Sequence, residues 1–263
     1  MTITTVIFDL DDTLLWDQRS IAEAFRLTCE EAAKHVDGEV NVQELEAAVR
    51  AAARKLYTSY EVYDYTQMIG INPFEGMWGT FDDPTPSFQK MKTIVPQYRK
   101  DAWTQGLKAY GIEDEQLGEM LGEYFIEARK RSPFVYEETF EVLEQLKGKY
   151  QLVLLTNGAP SLQNTKLEIT PELVPYFDHI IISGDFGKGK PDASIFEYVL
   201  EKADISAKEG IMVGDNLMTD ILGSSRIGMK NVWINREHKA PSDTVIPTYE
   251  IQNLRELKAI IEA

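Results

Sequence analysis

The chain has 263 residues, enough to bury a full hydrophobic core, and this length predicts one large domain or two modest ones. Its formal net charge of −16 argues against nucleic acid and anionic membranes as partners, because little positive charge is available to neutralise their phosphates. A small anionic substrate would need a local positive centre, either a bound metal ion or a well-placed Lys or Arg.

The cysteine content and the N-terminal sequence bear on the compartment. Cys29 is the one cysteine, so no intrachain disulfide can form and a reducing environment is favoured. The N-terminus has neither a basic segment nor a hydrophobic run of signal-peptide length. The longest purely aliphatic runs, 152–155 and 180–182, are far too short to span a bilayer. We therefore expect a cytoplasmic protein, and the sequence leaves the oligomeric state open.

A short apolar run at residues 6–8 has the length of a buried strand and stops at a carboxylate. After Asp9 come a second carboxylate at Asp11 and a hydroxyl at Thr13. Asp12 adds a third acidic side chain within four residues, and such a group is repulsive unless a cation lies among its members. The pattern fits a strand that ends in an acidic turn. It also fits a metal-assisted site at the carboxyl end of a strand, where open α/β sheets place their ligands.

Residues 17–132 have helical periodicity and no convincing strand. Ser20 is expected to cap the first helix, and Asn41 is expected to open the second with a capping box. Pro96 is expected to begin a later helix that Gly111 ends. The sequence therefore predicts a helical insert after the first strand.

From residue 136 onward, helices alternate with short apolar strands. The predicted strands are 152–155, 180–182, 211–213 and 232–234. Strands that are apolar throughout and alternate with helices indicate parallel βαβ units, and hence an α/β fold with a doubly wound parallel sheet. We expect a sheet domain of residues 1–16 and 133–263 and an inserted α-helical cap domain of residues 17–132.

Polar residues follow four of these strands. The first strand ends at Asp9, the second at Thr156 and Asn157, and the strand at 211–213 is followed by Asp215; a glycine-rich loop ending at Lys190 follows the strand at 180–182. Taken singly, the threonine could be a helix cap, the lysine a solvated charge and the last aspartate a turn residue. Because carboxyl ends of parallel strands meet at one edge of a sheet, the ordered set favours a shared site.

These residues resemble the four motifs of the haloacid dehalogenase (HAD) superfamily hydrolases, of the phosphatase type with a helical cap inserted after the first strand. The matching residues are Asp9-x-Asp11-x-Thr13, Thr156, Lys190-Pro191 and the run from Gly214 to Asp220. The resemblance covers the expected sheet domain, and the cap is similar in position and helical character only. It implies a Rossmann-like, HAD-like fold and a Mg²⁺-dependent phosphatase acting on a small phosphorylated metabolite. Relatives of this type act on phosphoserine, sugar phosphates, phosphoglycolate or nucleotides.

The resemblance also implies roles for the residues of the first and fourth motifs. Asp9 would attack phosphorus and form an aspartyl-phosphate, which divides one difficult step into two. Asp11 would be the general acid and base, and Thr13 an orienting hydroxyl. Mg²⁺ would be bound by Asp9, Asp215 and the backbone carbonyl of Asp11. Asp220 would hold the metal or the motif lysine without contacting the substrate. Its alternative interpretation is an acidic residue at a helix N-terminus.

The remaining motifs would bind the phosphoryl group. Thr156, the Asn157 N–H and Lys190 would contact its oxygens, and the lysine would also hold charge on the nucleophile. Selection of the leaving group would depend on the cap and its hinge, for which the candidate residues are Trp16, Asp17, Tyr63 and Trp78.

Other functions compete with this interpretation. Gly184-x-x-x-x-Gly189-Lys190 has P-loop spacing, but Pro191 supplies neither the hydroxyl nor the N–H that a P-loop requires. A 2-haloacid dehalogenase of the same fold would lack the second carboxylate, and the phosphonate-cleaving branch is disfavoured by the same Asp11. A phosphomutase remains open. A non-catalytic HAD-like binding protein would be expected to have lost one of the motif residues, all of which are present.

Overall fold

The computed structural model describes residues 2–262, and the chain divides into two compact units. The sheet unit comprises the residues up to Asp17, Phe134–Gly158 and those from Thr170 on. The helical unit comprises Gln18–Pro133 and Ala159–Ile169. No helix within residues 2–262 is long and apolar enough to cross a membrane.

The sheet unit contains a six-stranded parallel sheet with the strand order β3-β2-β1-β4-β5-β6. Its strands are β1 (Thr5–Phe8), β2 (Gln151–Thr156), β3 (His179–Ile182), β4 (Gly210–Gly214), β5 (Lys230–Ile234) and β6 (Tyr249–Ile251). The first five are the strands predicted from the apolar runs. The sixth was missed because it lies at the edge of the sheet and buries one of its three residues, Ile251. The predicted doubly wound α/β fold is confirmed.

The central strand β1 is shielded from water. Val6, Ile7 and Phe8 of β1 are fully buried, as expected for a strand covered on both faces. Ile7 is in register with Val153 of β2 and Met212 of β4, and these side chains form one apolar cluster on the same face. Burying such a side chain contributes about 1.5–3 kcal/mol each, so the position of β1 in the sheet is strongly fixed.

The helices complete both units. They are α1 (Asp17–Ala33), α2 (Val42–Tyr57), α3 (Tyr63–Ile69), α4 (Pro73–Gly76), α5 (Pro86–Tyr110), α6 (Glu115–Lys130), α7 (Thr139–Leu146), α8 (Pro160–Glu168), α9 (Ser183–Phe186), α10 (Ala193–Ala203), α11 (Leu222–Arg226) and α12 (Leu257–Ile261). A π-helical turn precedes α11, and 3₁₀ turns precede β3 and α12. Asn41 caps α2 as predicted, accepting hydrogen bonds from two backbone N–H groups. The reciprocal bond of the predicted capping box is not formed, because the Asn41 N–H donates to the Tyr110 hydroxyl at 2.7 Å.

Two predicted helix starts are wrong. The first helix begins at Asp17 rather than at Ser20. Helix α5 begins at Pro86 and continues through Pro96, where a start was expected. An internal proline removes one helical hydrogen bond, but apolar residues on both sides of it, including Val95, are buried, and this packing keeps the helix continuous. The predicted end is confirmed, since Gly111 caps α5 with a φ of 107°.

Helix α8 lies in the helical unit, although the sequence placed it in the sheet domain. Its Leu162 joins the apolar core of the helical unit. Ser161 donates a hydrogen bond to Asp83 at 2.6 Å, and Lys166 forms a buried ion pair with Glu75 at 2.8 Å. The chain spacing between these partners is 78 and 91 residues, so periodicity within a short window could not reveal the pairing.

We predict that the Lys166–Glu75 pair is a large contributor to stability of the helical unit. Lys166→Met should destabilise it by about 3–5 kcal/mol, because Glu75 would keep a buried charge without its partner. The double variant Lys166→Met/Glu75→Gln should lose less than the single one, since the charge is removed and the amide still accepts from the Asn72 N–H. Lys34→Met, which breaks an exposed pair, is the control in urea unfolding. Equal losses for the Lys34 and Lys166 variants would contradict this prediction.

Candidate active site

Asp9 lies at the carboxyl end of the central strand and is 8% exposed. Its backbone N–H donates to the carbonyl of Val213 on β4 at 2.9 Å, which continues the sheet pairing to this residue. A carboxylate in so dry a position is costly unless it is paired. Its partner is Lys190, whose Nζ lies 2.7 Å from the Asp9 Oδ1.

Lys190 is held by three acceptors. Its Nζ lies 2.7 Å from Asp9, 2.7 Å from Asp220 and 2.9 Å from the Leu155 carbonyl. An ammonium group has three N–H donors, so each has an acceptor within the protein. Burial alone would lower the pKa of Lys190, but Asp220 and Asp9 outweigh burial and hold the pKa above its ordinary value. The lysine is therefore a fixed positive charge beside Asp9.

The backbone of Lys190 is fixed by the end of β2. The Asn157 side chain accepts from the Lys190 N–H at 2.8 Å and donates to the Lys190 carbonyl at 3.0 Å. Thr156, which ends β2, is fully buried next to it. The second and third sequence motifs therefore meet through two hydrogen bonds, in which the Asn157 amide holds the backbone and leaves the lysine side chain directed at Asp9.

Three carboxylates gather at this edge of the sheet. Oxygens of Asp9, Asp215 and Asp220 all lie within 4.8 Å of one another. Burial, together with repulsion from Asp220, raises the pKa of Asp9 from 3.8 to about 6, although Lys190 acts in the opposite direction. Burial, together with repulsion from Asp220 and Asp9, raises the pKa of Asp215 well above its ordinary value. One ammonium group cannot neutralise three carboxylates, so this oxygen donor set suits a divalent cation.

Asp220 was expected behind the metal or the lysine, or as a helix N-terminal acid, and it has features of both. It is fully buried, pairs with Lys190 and lies in the π-helical turn Leu217–Ile221. Its Oδ2 also accepts from the Asn216 N–H at 3.1 Å. Gly214 makes room for it, since a Cβ there would overlap the Asp220 carboxyl group.

The loop after Asp9 carries the other predicted residues of the first motif. Asp11 is half-buried, and its carboxylate is not one of the three gathered ones. The expected contact of its backbone carbonyl with a metal stays a prediction. Asp12 has a φ of 57°, in the left-handed region that Asp tolerates, which produces the turn. The Thr13 hydroxyl is buried and has no hydrogen-bond partner within residues 2–262.

The four candidate specificity residues have different surroundings. Trp16 is 38% exposed and stacks on Tyr136, and Asp17 is buried. In the helical unit, Tyr63 packs edge-on against Tyr57 and Trp78 is buried. Their contact with a substrate stays a prediction.

Sequence reasoning missed Arg236 and Glu138. Their side chains form an ion pair at 2.6 Å, and Arg236 also donates to the carbonyl of Thr13 in the loop after Asp9. Neither residue belongs to a recognised motif. The available signal was position, because Arg236 follows the buried end of β5, just as the polar residues of the motifs follow the ends of the other strands.

The family model described as haloacid dehalogenase-like hydrolase matches residues 3–228. This span covers most of the chain, including the whole helical unit, the first four strands of the sheet and all the residues of the acidic group. The chain belongs to the haloacid dehalogenase-like hydrolase family, and the predicted superfamily and hydrolase class are confirmed.

Several named proteins are similar over nearly the whole length. The chain is 30% identical to a phosphoserine phosphatase of Thermus thermophilus, covering 96% of each chain. It is 27% identical to the putative HAD-hydrolase YfnB of Bacillus subtilis, over 98% of this chain and 94% of that one. The crystal structure of YfnB bound to magnesium is similar with a TM-score of 0.69 and 26% identity, covering all of both chains.

We predict that Gly214 is required for the position of Asp220. Gly214→Ala should destabilise the protein by about 1–3 kcal/mol, because the added methyl group overpacks a site that already contains a buried carboxyl group. Gly122→Ala is the control, since the nearest atom to its added Cβ is 3.4 Å away. Thermal unfolding of both variants tests this, and equal midpoints would contradict it.

Proposed function

We propose that this hydrolase is a Mg²⁺-dependent phosphatase that cleaves a small phosphate monoester through an aspartyl-phosphate on Asp9. The observation that carries the proposal is the buried Asp9–Lys190 pair beside Asp215, with a second carboxylate two residues after the nucleophile. Relatives named as a phosphoserine phosphatase, pyrimidine 5'-nucleotidases and N-acylneuraminate-9-phosphatases support the substrate class.

The chemistry divides between two aspartates. Asp9 attacks phosphorus, its oxygen forms the new bond, and the ester P–O bond breaks as Asp11 donates a proton to the leaving oxygen. A water molecule then attacks phosphorus while Asp11 accepts a proton from it, and the bond between phosphorus and the Asp9 oxygen breaks. Inorganic phosphate leaves and both carboxyl groups return to their initial states.

The cation and the lysine supply the positive charge. Asp9, Asp215 and the Asp11 backbone carbonyl would hold Mg²⁺, which when bound offsets the repulsion between the nucleophile and the doubly charged phosphate. Lys190 keeps Asp9 oriented and ionised. Because its three N–H groups already have acceptors, it can donate to a phosphoryl oxygen only by exchanging one of them. Thr156 and the Asn157 N–H are proposed to bind the other oxygens.

An assay of the reaction products would distinguish a phosphatase from the other functions considered for this fold. A 2-haloacid dehalogenase would release halide without a metal. A phosphomutase would return the phosphoryl group to its substrate, and a binding protein would turn over nothing. Asp11 favours the phosphatase over the dehalogenase, because ester cleavage needs a proton donor at the leaving oxygen.

We predict that Asp9→Asn abolishes Mg²⁺-dependent phosphate release. The amide is a far weaker nucleophile, so the rate should fall by at least about a thousandfold against p-nitrophenyl phosphate and a panel of phosphorylated metabolites. EDTA should remove activity from the wild type and Mg²⁺ should restore it. Asp12→Asn is the matched control in the same loop, because Asn also tolerates the left-handed conformation of that turn. Equal rates for wild type and Asp9→Asn would refute the proposed mechanism.

A second prediction concerns Asp11. Asp11→Asn cannot donate or accept the proton, so kcat should fall by about 10²–10⁴-fold while the aspartyl-phosphate, once formed, is hydrolysed slowly. Rapid quench followed by mass spectrometry should then detect a phosphorylated peptide that contains Asp9. Unchanged turnover in Asp11→Asn would assign acid–base work to another group.

A further inference from the structure

Arg236 lies in the chain just after β5 and makes three separate contacts in the sheet unit. Its Nη1 lies 2.6 Å from Glu138, and its Nη2 donates to the carbonyl of Thr13 at 3.1 Å. Its guanidinium carbon lies 3.6 Å from the centre of the Tyr136 ring. The side chain is 15% exposed, so these contacts are largely shielded from water.

Glu138 holds the guanidinium in place. Its side chain is 4% exposed and its Oε1 also accepts from the Leu254 N–H at 3.3 Å. Burial acts to raise the pKa of Glu138, but hydrogen bonding from Arg236 and from the backbone outweighs burial and holds the pKa below its ordinary value. The carboxylate therefore remains ionised at neutral pH, and the pair with Arg236 persists.

The ring of Tyr136 contacts both Trp16 and Arg236. Trp16 stacks on Tyr136 with ring centres 5.2 Å apart and planes 16° apart, and Arg236 also packs against the tyrosine ring. The Tyr136 N–H donates to the Leu14 carbonyl, and the Trp16 N–H donates to the Phe134 carbonyl. Backbone hydrogen bonds thus hold Leu14 and Trp16 in the loop from Leu10 to Trp16. The Arg236 side chain holds the same loop at the Thr13 carbonyl.

The Thr13 carbonyl is two residues from Asp11, in the turn that Asp12 forms. A hydrogen bond to this carbonyl restricts the backbone conformation of the turn, and this conformation sets the direction of the Asp11 side chain. A planar guanidinium group can donate to Glu138 and Thr13 at once while its carbon packs over the Tyr136 ring, and a lysine ammonium cannot match that geometry.

We propose that Arg236, anchored by Glu138, is a positioning residue that fixes the turn carrying the general acid Asp11. The expected effect on kcat rests on the proposed function. The expected effect on the loop that carries Asp11 rests only on contacts within the sheet unit. Arg236 acts through the Thr13 carbonyl and takes no part in bond making.

The test compares R236M, R236K and a matched control, R255M. Arg255 also pairs with a glutamate in the sheet unit, at 2.8 Å from Glu141, but this pair is exposed. With p-nitrophenyl phosphate and Mg²⁺, R236M should lower kcat by about 10- to 100-fold with little change in KM, because misplacing a reacting group affects the chemical step. R255M should behave as the wild type.

R236K separates positioning from charge. Lysine keeps the ion pair with Glu138, so its thermal midpoint should lie nearer the wild type than that of R236M, while its kcat should stay low. Full recovery of kcat in R236K, or an unchanged kcat in folded R236M, would overturn the proposal. If R236M does not fold, R236K alone decides between these outcomes.

Hydrogen exchange makes the test independent of turnover. Amides of Leu14 and Leu15, which donate to the Leu10 carbonyl, should exchange faster in R236M and R236K than in the wild type and R255M. Peptides from β4 should be unchanged. Equal exchange in the loop would overturn the positioning role. An inactive wild type with faster loop exchange in the variants would instead refute the proposed phosphatase and keep the structural inference.

Discussion

The ion pair between Asp9 and Lys190 is the interaction on which the geometry of the acidic site depends. A central strand covered on both faces shields Asp9 from water, and an unpaired carboxylate in such a position would favour its protonated form. Lys190 prevents this, and it can do so only because Asp220 and the Leu155 carbonyl satisfy its remaining N–H donors. Removing any of these partners would leave a buried polar group without compensation.

The strand order explains why residues so distant in sequence meet. The first strand lies between β2 and β4, so the carboxyl end of each neighbour faces Asp9: Leu155 precedes the end of β2 on one side, and Asp215 follows β4 on the other. The loop after β3 then needs only to reach across the end of β2, where the Asn157 amide binds the backbone of Lys190.

Five strands and the residues at their ends could be predicted because both signals are local: apolar runs mark buried strands, and polar residues mark where they stop. The position of β6 and the placement of α8 were not predicted, because they depend on contacts between residues far apart in the sequence. Edge strand β6 buries too little to show a pattern, and α8 is placed by partners in α4 and in the segment before α5. The sequence also left the role of Asp220 open, since its inclusion among the carboxylates depends on the space that Gly214 leaves.

The hydrogen bonds of these polar groups also bear on substrate choice. The Lys190 ammonium donates to three acceptors within the protein, and the Asn157 amide binds the Lys190 backbone, which favours a preorganised site over one that adapts to each ligand. Groups committed in this way recognise what all phosphate monoesters share and contribute little to discrimination between leaving groups. Selection must then depend on residues outside the motifs, and this agrees with the variety of esters for which the relatives are named. Substitutions at Trp16, which is 38% exposed at the end of the loop that follows Asp9, should therefore alter the relative KM values for different esters.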